Sequence, residues 1–79
     1  MDVKRLNAMA NDIAAYFASE PDREAAIAGI VNHIRKSWDP RMRRQITQQS
    51  ADDAAGLIEL ARAAIDRLTL PPGSGPPGM

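Results

Sequence analysis

Apolar residues recur at three- and four-residue steps along almost the whole of this chain, and this spacing is the strongest constraint on its fold. Such steps place apolar side chains on one face of an α-helix. No stretch alternates with the two-residue period of a strand. The first stripe comprises Val3, Leu6, Met9, Ala10, Ile13 and Phe17. The pattern therefore predicts an all-α protein, a small antiparallel bundle of three to four helices.

Capping and helix-breaking residues divide this pattern into four helices. Asp2 is a suitable N-cap for the first helix, and Pro21 suits the first position of the second. Asp39-Pro40 matches an N-cap followed by an N1 proline, and Ser50 is the corresponding cap for the last helix. The predicted helices span residues 3–18, 21–37, 40 to about 50, and 51–69. The apolar face predicted for the second helix comprises Ile27, Ile30, Val31, Ile34 and Trp38, and that of the third comprises Met42 and Ile46. In the last helix Leu60 falls off the predicted stripe, which comprises Ala54, Leu57, Ile58, Ala61, Ala64, Ile65 and Leu68.

Size and composition limit what the chain can do alone. Of its 79 residues, the last nine are Pro-Pro-Gly-Ser-Gly-Pro-Pro-Gly-Met, which predicts a disordered tail at 71–79 after a helical domain at 1–70. A domain of this size buries only a limited core, and without cysteine no disulfide adds to its stability. We therefore expect a partner to supply part of the missing stability.

The residues needed for catalysis and for cofactor binding are scarce. There is one histidine, no cysteine and no glycine-rich phosphate loop between a strand and a helix. His33 has no acidic residue three or four positions away to orient it as a general base. The expectation is therefore no catalytic residue, no bound cofactor and no metal in this chain, with His33 exposed to solvent or bonded to a partner.

The most unusual segment is residues 35–44, which contains five cationic residues and one anionic residue in a chain of net charge zero. A focused positive patch beside a tryptophan is typical of a docking surface for an acidic partner. An ordinary solvated helix junction is the simpler interpretation, and a small nucleic-acid-binding or regulatory module is a further alternative. Net neutrality argues against nucleic acid. The predicted partner-binding residues are His33, Arg35, Trp38, Pro40, Arg41, Arg43 and Arg44.

The same segment carries a resemblance to a known family. The motif H-I-R-K-S-W-D-P-R-M-R at residues 33–43 follows M-A-N at residues 9–11, Phe17, and P-D-x-x-x-A at residues 21–26. In this order the motifs resemble the delta subunit of bacterial NAD-dependent formate dehydrogenase, over roughly residues 6–46. Ser37 departs from the pattern, which has an aromatic residue before the tryptophan.

The resemblance implies a function that the residue pattern alone does not specify. It implies a non-catalytic subunit of a soluble formate:NAD oxidoreductase, one that stabilises or helps to assemble the larger subunits. By the same resemblance the partner is the alpha subunit and, through it, the beta and gamma subunits. These would carry a molybdenum or tungsten bis-pterin, iron–sulfur clusters, FMN and the NAD site. With no long apolar stretch and no secretory h-region at the N-terminus, the expected location is the cytoplasm, without membrane attachment.

Overall fold

The computed structural model describes residues 2–69, and the regular elements in that range are all α-helices, without a strand. This confirms the all-α prediction, although five helices form where three to four were expected. The tail predicted at 71–79 lies outside the described residues. In chain order the helices are α1 (Val3–Phe17), α2 (Arg23–Ser37), α3 (Pro40–Thr47), α4 (Ala51–Ala54) and α5 (Glu59–Leu68).

Side-chain caps begin four of these helices. Asp2 accepts a hydrogen bond from the Lys4 N–H, Asp39 from Met42 and Ser50 from Asp53, as predicted. The start of α2 was predicted wrongly, because Pro21 lies outside the helix. Asp22 is the N-cap, and its carboxylate accepts the Glu24 N–H at 3.0 Å. An aspartate cap satisfies a free helical N–H, which proline at the first position does not do.

The core lies where four of the helices meet. All five apolar residues predicted for the second helix are buried, and Ile46 of α3 is buried against them. From α5 the small residues Ala61 and Ala64 contribute, so that the helices approach closely. The buried apolar residues are Leu6, Ala10, Ala14, Ala26, Ile27, Ile30, Val31, Ile34, Trp38, Ile46, Leu57, Ala61, Ala64 and Ile65. Leu60, which lay off the predicted stripe, packs against this core while remaining partly exposed.

The continuous helix predicted for residues 51–69 is wrong, since the chain turns between α4 and α5. Two asparagines of α1 satisfy the backbone groups that this break leaves without helical partners. Asn7 donates to the Asp53 carbonyl at 2.8 Å. Asn11 donates to the Gly56 carbonyl at 2.9 Å and accepts the Ile58 N–H at 2.8 Å. As a consequence of the turn, Ile58 leaves the predicted stripe and is 44% exposed.

Asn7 is itself buried, at 3% exposure, and its amide is fully used. Besides the Asp53 carbonyl it exchanges two hydrogen bonds with the Gln49 side chain, at 2.9 and 3.1 Å. Gln49 in turn donates to the Ile46 carbonyl at 2.9 Å. This network joins α1 to the segment between α3 and α4, so the amide pair helps to hold that segment and α4 against α1.

Candidate interaction site at the corner between α2 and α3

The basic segment of the sequence forms the corner between α2 and α3. Only Trp38 and Asp39 separate the end of α2 from the start of α3. Both residues are extended, and Asp39 must be, because the ring of Pro40 clashes with a helical conformation in the residue before it. The Trp38 N–H still bonds to the Ile34 carbonyl at 2.9 Å. The corner therefore begins directly at the last turn of α2.

Trp38 anchors this corner from inside the chain. Its side chain is only 4% exposed and belongs to the central core. Because the ring is buried within the chain, a partner at this surface would meet the residues around Trp38 rather than its indole face. Pro40, by contrast, is exposed at the first position of α3. The buried ring and the fixed proline dihedral give the corner a defined geometry.

Arg43 differs from the other cations of the segment. Its Nη1 donates to two carbonyl oxygens at the end of α2, those of Arg35 and Trp38, each at 3.0 Å. The residue is half-buried. This guanidinium therefore satisfies carbonyl groups that a helix C-terminus leaves without intrahelical donors, and the structure uses it within the chain.

The other cations of the corner lie at the surface. Arg35 and Lys36 are exposed at the end of α2, and Arg41 and Arg44 are exposed on α3. The ion pairs found within residues 2–69 join Arg23 to Glu59 and Arg67 to Glu24, and neither involves the corner. Four exposed cations thus flank the turn between α2 and α3, and no ion pair in the described part of the chain joins them to an acidic residue.

The structure does not place His33 with these arginines. It lies on another side of α2, where it lines an open groove of about 420 Å³ together with Asp12, Ile13, Tyr16 and Phe17. Tyr16 was missed in the sequence, yet it is 78% exposed. Its ring meets that of Phe17 edge to face, with centroids 5.2 Å apart. The signal for it was available, because an aromatic residue off the apolar stripe of α1 has to face solvent or a partner.

In the part of the chain that the structure describes, no group of three or more histidine and acidic residues is placed to hold a metal ion. None of the helices formed by residues 2–69 is both long and apolar enough to cross a membrane.

The fold and this surface define a small all-α protein with a cationic corner between two helices. A family model described as the NADH-dependent formate dehydrogenase delta subunit FdsD matches residues 5–65. The chain belongs to this family, which confirms the resemblance carried by the motifs around Trp38. It is therefore a subunit of a formate dehydrogenase, an oxidoreductase complex. No curated protein and no solved structure gives a significant match to the chain.

Proposed function

We propose that this chain is a non-catalytic subunit that binds the alpha subunit of formate dehydrogenase and stabilises, or helps to assemble, the larger subunits. The observation that carries the proposal is the cationic corner. In a delta-family chain, Arg35, Arg41 and Arg44 are exposed around the buried Trp38, and no ion pair within residues 2–69 neutralises them.

The chemistry of arginine favours carboxylates as the ligands of this corner. A guanidinium can bind a carboxylate through two parallel hydrogen bonds, which gives both strength and orientation. Pairs that lose water at the centre of an interface contribute far more than pairs at its rim. Because the turn is fixed by Pro40 and Trp38, little backbone entropy is lost when the arginines dock. We therefore propose an acidic surface on the alpha subunit as the partner.

The proposal assigns the redox chemistry to the partner subunits. The molybdenum or tungsten bis-pterin, the iron–sulfur clusters, FMN and NAD would be bound by the alpha, beta and gamma subunits, and formate would be oxidised there. The chain itself has no cysteine, the residue that ordinarily ligates iron–sulfur clusters. A delta subunit of such a complex would work in the cytoplasm, which is the location we propose.

Co-expression of the larger subunits with and without this chain tests the proposed role. We expect less assembled complex, or a less heat-stable one, when the chain is absent. Formate oxidation per fully loaded complex should be unchanged, because the chain contributes no reacting group. Full yield and full stability without the chain would contradict the accessory role. Loss of turnover from an intact, fully loaded complex would show instead that the chain takes part in catalysis.

A further inference from the structure

We propose that Arg43 is a positioning residue of the docking corner, which acts by locking α3 onto the end of α2 and not by contacting the partner. This inference rests on the proposed function, since it divides the arginines of the corner into two roles. In the sequence Arg43 is indistinguishable from Arg44, its neighbour, and from Arg41, two positions earlier.

The geometry of the Arg43 side chain carries the proposal. One nitrogen, Nη1, lies 3.0 Å from the carbonyl oxygens of both Arg35 and Trp38. These two carbonyls belong to the last turn of α2 and to its C-cap. The positive end of Arg43 also lies where the helix dipole of α2 concentrates negative partial charge, which strengthens both hydrogen bonds.

The backbone of Arg43 belongs to the other helix. Its N–H donates to the Asp39 carbonyl at 3.1 Å in the first turn of α3. Its own carbonyl accepts the Thr47 hydroxyl at 2.9 Å. A single residue is thus fixed in α3 by its main chain and in α2 by its side chain. This double attachment sets the angle between the two helices.

That angle determines the spacing of the exposed cations. Arg35 belongs to α2, whereas Arg41 and Arg44 belong to α3. Carboxylates at fixed positions on a partner can engage all three only if the two helices keep one relative orientation. α3 has eight residues, with Ile46 buried and Met42 partly buried. Because it packs mainly on α1 and α5, its orientation relative to α2 depends on the two-residue link and on the hydrogen bonds of Arg43. Removing the two hydrogen bonds of the Arg43 side chain would therefore change the spacing of Arg35, Arg41 and Arg44 without altering those residues themselves.

A distance measurement on the full chain tests the locking role without any partner. Asn32 on α2 and Gln48 at the end of α3 are both exposed, and the chain has no native cysteine. Asn32→Cys and Gln48→Cys can therefore carry two spin labels. We expect a narrow distance distribution that broadens with Arg43→Met and stays narrow with Arg41→Met. Arg43→Lys, which keeps a charged donor, should restore most of the narrow distribution. An unchanged distribution in Arg43→Met would overturn the proposal.

Association with the larger subunits tests the division of roles. Arg41 and Arg44 are proposed to contact the partner directly. At either position the Glu variant should bind the larger subunits more weakly than the Met variant by tenfold or more, on the order expected for like-charge repulsion. For Arg43 the Met variant should already weaken binding by roughly tenfold, the range for charged hydrogen bonds. Arg43→Glu should then bind less than about threefold more weakly than Arg43→Met, the small effect expected of a solvent-screened charge at the rim of an interface. A large extra loss for Arg43→Glu would overturn the positioning role. If reversal of Arg41 and Arg44 has no effect, the proposed docking face fails, whereas the distance result stands independently.

Discussion

The ring of Phe17 lies directly on the backbone of Gly29, at a contact between α1 and α2. A Cβ built on Gly29 would be 2.5 Å from Cε1 of Phe17 and 2.8 Å from its Cδ1. No side chain fits into that space unless the ring moves. The glycine lies inside α2, where it costs about 1 kcal/mol relative to alanine. The close contact of the two helices explains why glycine stands at this position.

Gly29→Ala should therefore lower the free energy of unfolding by about 1–3 kcal/mol, the usual cost of overpacking, even though alanine is the better helix former. Gly56→Ala is the matched control. A Cβ there would have its nearest neighbours at 3.5 Å, an ordinary contact distance, so this variant should be neutral or slightly stabilising. Urea unfolding followed by circular dichroism measures both. Equal stabilities for the two variants would contradict the packing described.

Asn11→Ala should destabilise the chain by about 1–3 kcal/mol, because the Gly56 carbonyl and the Ile58 N–H both lose their partner. Asn32→Ala, at an exposed position of α2, is the control and should change stability by less than about 0.5 kcal/mol. Thermal unfolding of the two variants provides the comparison, and hydrogen exchange at Ile58 gives a local readout. If the Ile58 amide exchanges as slowly in Asn11→Ala as in the wild-type chain, the hydrogen bond from Ile58 to Asn11 does not form in solution.

Trp38→Ala should lower the free energy of unfolding by about 3–5 kcal/mol, since it leaves a cavity where the buried ring stood. Trp38→Phe retains a ring and should lose less. The single tryptophan also reports on itself. We expect its fluorescence in the folded, partner-free chain to be blue-shifted relative to urea-unfolded chain. A water-like emission from the folded chain would show that the ring is not buried.

The pair formed by Arg23 and Glu59 should leave a small signature in acid. The Arg23 guanidinium donates hydrogen bonds to the Glu59 carboxylate and so lowers the pKa of Glu59 below its ordinary value of 4.5. A carboxyl group whose pKa is lowered by folding stabilises the folded chain above pH 4.5. This contribution is lost as the pH falls through the folded-state pKa. Both side chains are largely exposed, so the effect is small.

A carboxyl-carbon NMR titration of Glu59 measures this directly. The midpoint should lie lower in the wild-type chain than in Arg23→Gln, and the gap should narrow in high salt because the pair is exposed to screening. Identical midpoints in the two proteins would show that the pair does not persist in solution.

The fold was predictable where local periodicity and local caps decide it. The buried face of α2, Asp39 as a cap and Pro40 at the first position of α3 all follow from neighbouring residues. The break between α4 and α5 could not be predicted in this way, because the groups that stabilise it come from Asn7 and Asn11, more than 40 residues earlier. An amide on a helix flank carries no sign of the distant carbonyl that it will bind.

In the candidate site, too, the sequence predicted what neighbouring residues decide and missed what the folded contacts decide. Charge counting located the corner but treated its arginines as equivalent, since the sequence does not reveal that Arg43 folds back onto the carbonyls of Arg35 and Trp38. His33, chosen together with them, lies instead beside Tyr16 in the groove between α1 and α2. A segment that is continuous in sequence distributes its side chains around a helix, so neighbours in the chain need not share a surface. The partner-binding role of the whole set stays a prediction.

Charge reversal of the two exposed arginines of α3 is the most direct measurement of the central claim. Arg41→Glu combined with Arg44→Glu should release a tagged chain from the larger formate dehydrogenase subunits at physiological salt, while its helix content and unfolding midpoint stay at wild-type values. Arg5→Glu combined with Arg62→Glu, at two exposed arginines outside the corner, makes the same change in net charge and should leave co-purification intact. Co-purification of the corner variant at wild-type yield, in low and in high salt, would contradict docking through this surface.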